Sequence, residues 1–345
     1  MARNDEDHAI VVGIDRYSFG DLNPLAGARA DATDFQAWLI EQGPTGGGLD
    51  EKHVTLLAGK DDGSAPTAEN IRKAFTDLLR TKIPVGTKRI GRRLYVFMSG
   101  HGASLESASV TSVGLLPAPF DELENFYVVG QLFVEAVQKR GAFDEILLFM
   151  DCCRDLAPMP LSVLLPGFDA TVGAVPPKVA TLTAYAAQWG SKARERDFTA
   201  NGTTRKRGIF TAALIEALRG WAIDEDTGHV TKDSLERYLL SRIAYYRPDG
   251  SEQKPDVTGP RDLVIVPTPS APRETELILV LPSPGPAQVV VQTAVAGSER
   301  TFDVPPGETE VRTKVQGLKR WLVSRDGNPP MSVHVAGEEQ RVNIV

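Results

Sequence analysis

The residues best suited to chemistry in this sequence are one histidine and two adjacent cysteines. His101 lies between Gly100 and Gly102, directly after an apolar run at 94–98, and Cys152 and Cys153 follow a second apolar run at 146–150. A thiolate is a strong nucleophile, and a nearby imidazole can take up the thiol proton. The pattern therefore points to a cysteine nucleophile served by a histidine base.

The two cysteines are the only ones in the chain, which limits their other uses. Neighbours in a strand point to opposite faces, so a disulfide between them would be strained. A zinc site built on cysteine lacks further ligands. Two alternatives stay open at this point: the cysteines are small buried apolar residues, and His101 is a turn residue without a task.

Both candidate turns follow apolar runs that predict strands, and the first 266 residues predict the sheet in which these strands lie. Short apolar runs predict strands, and apolar periodicity predicts helices. Strands alternating with helices favour an α/β fold with a mainly parallel sheet and helices on both faces. Since the carboxyl ends of parallel strands share one edge, His101 and a cysteine should meet there. The predicted strands are 9–14, 53–57, 94–98, 146–150, 178–185 and 263–266, and the predicted helices are 25–40, one beginning at Thr67, 128–140, 208–218 and 231–243.

Polar or proline-rich segments interrupt this pattern. We interpret residues 102–115, 155–177 and 191–207 as loops, with a short β segment near 114–117. Beyond a linker at 267–274, short β runs separated by turn residues predict a small all-β, sandwich-like domain over 275–345. The predicted organisation is thus a catalytic domain at 1–266 followed by a β-rich accessory domain.

Composition narrows the functional classes. The net charge of −7 argues against a nucleic-acid-coating protein, and no apolar run reaches the 18 residues of a membrane span. These two features predict no nucleic-acid and no membrane partner. We find no signal peptide, which predicts a cytoplasmic, reducing location. The phosphate-loop motif Gly-x4-Gly-Lys-Ser/Thr is missing, so a flavodoxin-like ligand-binding module is a poor alternative.

Two motifs carry a specific resemblance. Ser99-Gly-His-Gly102 and Asp151-Cys-Cys153 resemble the paired signatures of the caspase-like cysteine peptidases (clan CD, peptidase family C14), nearest to metacaspases and their bacterial relatives. The resemblance extends through residue 266 and implies a caspase-like α/β/α sandwich. Supporting positions are Asp15, the segment 25–32 (Leu-x-Gly-x-x-x-Asp-Ala), Gly208-Ile-Phe-Thr211 and Gln253-x-Pro-Asp256.

The resemblance assigns roles to these residues. Cys153 would be the nucleophile, with Cys152 at a variable small position, and His101 the general base and acid of an acyl-enzyme mechanism on protein substrates. The backbone N–H groups of Gly102 and Cys153 would bind the oxyanion. One departure matters: metacaspases usually continue with His-Ser-Gly, whereas this chain has Arg-Asp-Leu at 154–156, which leaves the geometry just past the nucleophile open.

Substrate preference is also implied by the resemblance. Asp31, Asp151 and Ser99 match the residues that line the first specificity pocket (S1) of metacaspases. Two carboxylates in a narrow pocket favour a guanidinium or ammonium group, so we expect cleavage after Arg or Lys. Without the resemblance, Asp31 would be interpreted as a solvated helix residue and Asp151 as a cap at a strand end.

Regulation is less well defined. Residues 155–177 match the linker between caspase subunits, and 191–207 are rich in Lys and Arg, so self-processing of a zymogen is a hypothesis beside a plain solvated basic loop. Calcium dependence is common among metacaspases, but we find no acidic cluster to assign to it. We therefore predict no cofactor and no metal site, with calcium activation left open.

Two function hypotheses follow. The first is a cytoplasmic caspase-type endopeptidase whose C-terminal β domain binds a regulatory protein, and the resemblance links bacterial members to stress or defence pathways. The alternative is a catalytically silent caspase-fold scaffold that only binds partners. A silent relative commonly loses one member of the His–Cys pair, and both are present here.

Overall fold

A computed structural model gives the structure of the chain. It describes residues 4–17, 22–60, 64–80, 89–107, 110–118, 126–155, 162–168, 178–200, 203–224, 226–248, 251–267, 274–293, 298–317, 319–335, 337 and 339–344. The chain divides into two compact units, Met1–Thr268 and Pro269–Val345. No helix among these residues has the length and apolar character needed to cross a membrane.

The first unit contains both strands and helices. In order they are β1 (Asp7–Gly13), α1 (Ala28–Ile40), β2 (Val54–Ala58), α2 (Ala68–Arg80), β3 (Gly91–Ser99), β4 (Gly102–Ser107), β5 (Val110–Leu115), β6 (Phe126–Val129), α3 (Gly130–Arg140), β7 (Phe143–Asp151), β8 (Ser162–Val163), β9 (Ala180–Tyr185), β10 (Glu195–Ala200), β11 (Thr203–Gly208), α4 (Ile209–Glu216), β12 (Val230–Thr231), α5 (Lys232–Tyr246), β13 (Asp256–Thr258) and β14 (Val264–Val266).

A six-stranded sheet forms the centre, in the order β13-β9-β7-β3-β1-β2. Its neighbours are parallel except for β13, which runs antiparallel to β9 at the edge. The three central strands, β1, β3 and β7, are buried along nearly their whole length, which explains their long apolar runs. The predicted mainly parallel sheet is therefore confirmed.

Helices cover the two faces of this sheet. Successive residues of a strand point to opposite faces, so Val96 and Met98 of β3 join a core with Phe75 of α2 and Phe133 of α3. On the other face, Phe97 of β3 stacks on Phe35 of α1, with ring centroids 4.5 Å apart. The arrangement is the α/β/α sandwich that the sequence indicated.

Four loop or strand predictions need correction. Within the predicted loop 102–115, β4 pairs antiparallel with β5, and within the predicted loop 191–207, β10 pairs antiparallel with β11, because their polar sequences lack the apolar pattern that predicts a strand. The strand predicted at 263–266 pairs with β12 outside the central sheet, whose last strand is β13. Within the predicted loop 155–177, β8 pairs in parallel with β6, whereas residues 156–161 and 169–177 lie outside the described residues.

The second unit is all-β, as predicted. It contains a three-stranded and a four-stranded sheet. Leu277 and Val311 from the first sheet and Val289 and Val323 from the second belong to one apolar core, so the two sheets pack as a sandwich. Its strands are β15 (Glu274–Val280), β16 (Ala287–Gln292), β17 (Arg300–Val304), β18 (Glu310–Gln316), β19 (Arg320–Arg325), β20 (Met331–His334) and β21 (Glu339–Asn343), of which β17 was missed in the sequence.

Candidate active site

The two central strands of the sheet bring the histidine and cysteine turns to the same edge. β3 and β7 are parallel neighbours, and their last paired residues are Ser99 and Asp151. The N–H of Gly100 donates to the carbonyl of Asp151 over 3.2 Å, which ties the two turns together. His101 and Cys153 each lie two residues beyond this last pair. The predicted meeting of these turns is what the register produces.

The adjacent cysteines have different surroundings. Cys152 is 1% exposed and belongs to the apolar core between the sheet and α2 and α3. Cys153 is half-buried, and its thiol donates a hydrogen bond to the carbonyl of Ala193 over 3.6 Å. Burial raises the pKa of both thiols. Cys152 therefore fits a structural role, and Cys153 is the thiol that a substrate could reach.

His101 is fixed by the segment that follows β1. Its Nε2 atom lies 2.7 Å from the carbonyl oxygen of Asn23. A carbonyl can only accept, so Nε2 carries the proton in this contact. In a neutral ring, Nδ1 then keeps its lone pair and can accept a proton. The histidine is therefore held in the tautomer that suits a general base.

The backbone of His101 is held as well. Its N–H donates to the hydroxyl of Tyr17 over 2.7 Å, and that hydroxyl donates to the carbonyl of Ile14 over 3.0 Å. The Tyr17 and His101 rings lie 4.9 Å apart. A Cβ atom on Gly100 would lie 2.7 Å from the Tyr17 hydroxyl, so glycine is needed for this close approach. The sequence motifs include Asp15 but assign no role to Tyr17.

Gly102, the predicted oxyanion residue, lies directly against the cysteine pair. A Cβ atom at this position would lie 2.7 Å from the Sγ atom of Cys152 and 2.9 Å from the carbonyl oxygen of Cys153. Only glycine allows the two turns to approach this closely. The backbone of Gly102 thus lies beside the candidate nucleophile.

The three residues predicted for the specificity pocket also lie together. Ser99 is buried at the end of β3 beside Asp151. Asp31, on α1, accepts from the N–H of Gly208 over 2.8 Å. A Cβ atom on Gly208 would lie 2.1 Å from an Asp151 carboxylate oxygen and 2.8 Å from one of Asp31, so both carboxylates converge there. Asp31 is not a solvated helix residue, since it is 1% exposed.

Burial disfavours the charged form of both carboxylates. Asp151 accepts from the N–H and the hydroxyl of Thr211, over 3.1 and 2.6 Å, at the N-terminus of α4. Burial raises the pKa of Asp151 to about 6. Burial and the neighbouring Asp151 charge raise the pKa of Asp31. A cation entering between them would offset this cost.

The segment just past Cys153, which the sequence left open, is anchored by Arg154. This side chain lies over the Tyr185 ring at 4.4 Å and donates to the Asp256 carboxylate over 2.7 Å and to the Ala187 carbonyl over 3.2 Å. Its backbone N–H donates to the Ser191 carbonyl over 3.0 Å. Arg154, the residue after the candidate nucleophile, thus joins the end of β7 to the neighbouring strands.

Gln253 supports the same region from a second side. Its amide donates to the Ala186 carbonyl and accepts from the Arg194 N–H, both over 3.1 Å. Arg194 follows Ala193 in the chain, so Gln253 also restrains the Ala193 carbonyl that accepts the hydrogen bond from the Cys153 thiol. Gln253 and Asp256 belong to the sequence motif Gln-x-Pro-Asp, and in the structure both residues hold the segments around Cys153.

The described residues contain no group of three or more His, Cys, Asp or Glu side chains arranged to hold a metal ion.

Comparison with known proteins agrees with the motifs. The family model of the caspase domain, Peptidase_C14, matches residues 6–256. Among solved structures, the crystal structure of caspase-1 from Spodoptera frugiperda is similar, at 17% identity over 76% of this chain and 92% of that chain, with a TM-score of 0.44. The structure of pro-sf-caspase-1 is similar at 16% identity over 77% and 96%, with a TM-score of 0.41. A search of curated proteins found no match. Because the family model covers well over half of the chain, this protein belongs to the caspase family of peptidases.

Proposed function

We propose that this protein is a cysteine endopeptidase in which Cys153 is the nucleophile and His101 the general base and acid. The observation that carries the proposal is the contrast at the sheet edge: Cys152 is sealed in the core, whereas the Cys153 thiol is half-buried beside the turn that presents His101. The Asn23 carbonyl supports the role of His101, because it occupies Nε2–H and leaves Nδ1 to accept a proton.

Acylation begins with transfer of the Cys153 proton to Nδ1 of His101. The thiolate attacks the carbonyl carbon of the scissile peptide, a C–S bond forms, and the carbonyl π electrons move to oxygen. The N–H groups of Gly102 and Cys153 stabilise this oxyanion. The C–N bond then breaks as His101 donates its proton to the leaving amine, which leaves a thioester on Cys153.

Deacylation reverses these roles. Water attacks the thioester carbon while His101 accepts one of its protons, and a second tetrahedral oxyanion forms in the same site. Collapse breaks the C–S bond, releases the carboxylic acid product, and returns the proton from His101 to the Cys153 sulfur. No cofactor enters this sequence of steps.

We further propose that substrates are cleaved after Arg or Lys. Asp31 and Asp151 offer two carboxylates that converge near Gly208, with Ser99 beside them. A guanidinium can bridge two carboxylate oxygens with parallel hydrogen bonds, which a carboxylate side chain cannot do. Protein substrates with an acidic residue at this position should be rejected by charge repulsion.

The resting state is proposed to be a zymogen. The Cys153 thiol donates to the Ala193 carbonyl, so in this arrangement it is protonated and must turn away before it can react. Activation by cleavage within 155–177 and a place in bacterial stress or defence are parts of the proposal that derive from the family resemblance. Cleavage within the basic segment 191–207, regulation through the C-terminal β unit and a cytoplasmic location are further parts of the proposal that rest on the sequence pattern alone.

The test is hydrolysis of fluorogenic peptides ending in Arg, Lys, Asp or Leu, with calcium and with a chelator. Wild type is compared with Cys153→Ala, His101→Ala and the matched control Cys152→Ala. We expect wild type and Cys152→Ala to cleave after Arg and Lys, and Cys153→Ala and His101→Ala to be inactive. Cleavage after Asp would refute the acidic pocket, and a Cys153→Ala protein with wild-type activity would refute the nucleophile. Complete inactivity, even after limited proteolysis, would favour the silent scaffold.

A further inference from the structure

A cation of the protein itself lies against the acidic pocket. Arg207, the residue before Gly208, places its Nε atom 3.6 Å from an Asp31 carboxylate oxygen and 3.0 Å from one of Asp34. Its side chain is 14% exposed. Arg207 is therefore partly withdrawn from water and held between two carboxylates of α1.

The β10–β11 hairpin holds Arg207 in this place. Glu195 accepts from the N–H groups of Gly27 and Ala26 over 2.7 and 3.2 Å, which anchors β10 to the start of α1. A Cβ atom on Gly27 would lie 3.0 Å from the Arg207 Cα atom, so the hairpin backbone packs directly on this turn. Arg205, on the same strand, pairs with Asp34 over 2.6 Å but is half exposed.

The position of Arg207 has a consequence for substrate binding. Asp31 and Asp151 are both buried, and their mutual repulsion favours a nearby cation. Arg207 supplies this charge in the free protein. A basic substrate side chain would approach the same Asp31 carboxylate and would meet both a competing guanidinium and its like charge.

We propose that Arg207 is an internal counter-ion of the specificity pocket, which a basic substrate side chain must displace from Asp31 in order to bind. This proposal rests on the proposed preference for Arg and Lys. Asp34 is the alternative partner that keeps Arg207 partly turned from Asp31, since it is the closer of the two carboxylates. Substrate affinity is thus set by an exchange of cations at Asp31.

The main experiment measures kcat and KM on an Arg-terminated peptide for Arg207→Gln and for the control Arg261→Gln, an exposed arginine that pairs with Asp233. We expect Arg207→Gln to lower KM about fivefold with kcat little changed, the size of one charge interaction at a partly exposed site. Arg261→Gln should leave both constants near wild type. An unchanged or higher KM in folded Arg207→Gln would overturn the proposal.

A second variant tests the opposite direction. Asp34→Asn removes the competing partner of Arg207, so the guanidinium should bind Asp31 more fully and raise KM. The double variant Asp34→Asn/Arg207→Gln should behave like Arg207→Gln alone. A lower KM in Asp34→Asn would contradict the exchange even if Arg207→Gln failed to fold, which thermal unfolding would reveal.

Binding of benzamidine, a small aromatic cation, separates this proposal from the peptidase activity. Calorimetry in a Cys153→Ala background should give a lower Kd with Arg207→Gln and a higher Kd with Asp34→Asn. If no variant hydrolyses any peptide but these Kd changes occur, the counter-ion stands and the proposed function fails. If peptides are cleaved after Arg but neither Kd nor KM responds, the function stands and the counter-ion fails.

Discussion

Tyr17→Phe is a sharp test of how the base is held. The substitution keeps the aromatic ring that lies 4.9 Å from the His101 ring and removes only the hydroxyl. That hydroxyl accepts from the His101 N–H over 2.7 Å and donates to the Ile14 carbonyl over 3.0 Å. The variant therefore leaves one partly buried donor and one acceptor without this partner, and it changes the packing very little.

The expected loss of activity in Tyr17→Phe follows from the loss of these two hydrogen bonds. Leaving a buried N–H without a partner costs about 1–3 kcal/mol. This N–H belongs to His101 itself, so the loss of its partner displaces the imidazole. Each 1.4 kcal/mol added to the activation barrier lowers the rate about tenfold. We expect kcat on an Arg-terminated peptide to fall about tenfold, with KM close to wild type, since Tyr17 does not line the acidic pocket.

The assay must separate positioning from simple destabilisation. The pH profile of kcat/KM is measured together with thermal unfolding, because a displaced base changes the profile as well as the rate. Tyr17→Leu, which removes the ring too, should lose both activity and stability. If Tyr17→Phe lowered the unfolding temperature while kcat and the profile stayed at wild-type values, the positioning role would be refuted.

Three further predictions concern the pocket, the oxyanion turn and Arg154. Burial raises the pKa of Asp151 from 3.8 to about 6, so the folded protein binds this proton more tightly than the unfolded chain, and the free energy of unfolding should fall as pH rises from about 4 to about 6; urea titrations of wild type and Asp151→Asn check this, and an equal slope in both would contradict it. Gly102→Ala should abolish peptide hydrolysis, because its Cβ atom would lie 2.7 Å from the Cys152 sulfur; wild-type kinetics would show that the turn tolerates a side chain. Arg154→Ala should lower the free energy of unfolding by about 2–3 kcal/mol, because it removes charged hydrogen bonds to Asp256 and Ala187; Arg261→Ala, an exposed arginine, is the control for urea denaturation, and equal midpoints would refute the anchor.

The sequence indicates the strand ends well, for a physical reason. Parallel strands buried on both faces are apolar throughout, so their ends at Ser99 and Asp151 are visible as abrupt changes to polar residues. Once adjacent strands are predicted, the shared edge follows from topology alone. For this reason the sequence predicts that the turns carrying His101 and Cys153 lie at the same edge of the sheet.

Other parts of the site carry little sequence signal. The carbonyls of Asn23 and Ala193 hold the imidazole and the thiol, but every residue has a carbonyl, so no residue type reveals them. Strands β10 and β11 consist mostly of polar and charged residues, and this composition favours a loop by periodicity. Their strand character comes from cross-strand pairing and from docking on α1, which only the tertiary structure contains.

The pairing of His101 with Cys153 is tested by finding which atom reacts. An Arg-based peptidyl acyloxymethyl ketone is incubated with wild type, His101→Ala and Cys152→Ala, and the modified residue is located by mass spectrometry after digestion. We expect a thioether on Cys153 in wild type and in Cys152→Ala, with slow or no labelling in His101→Ala. Labelling of Cys152, or equal labelling in His101→Ala, would contradict the His101–Cys153 assignment.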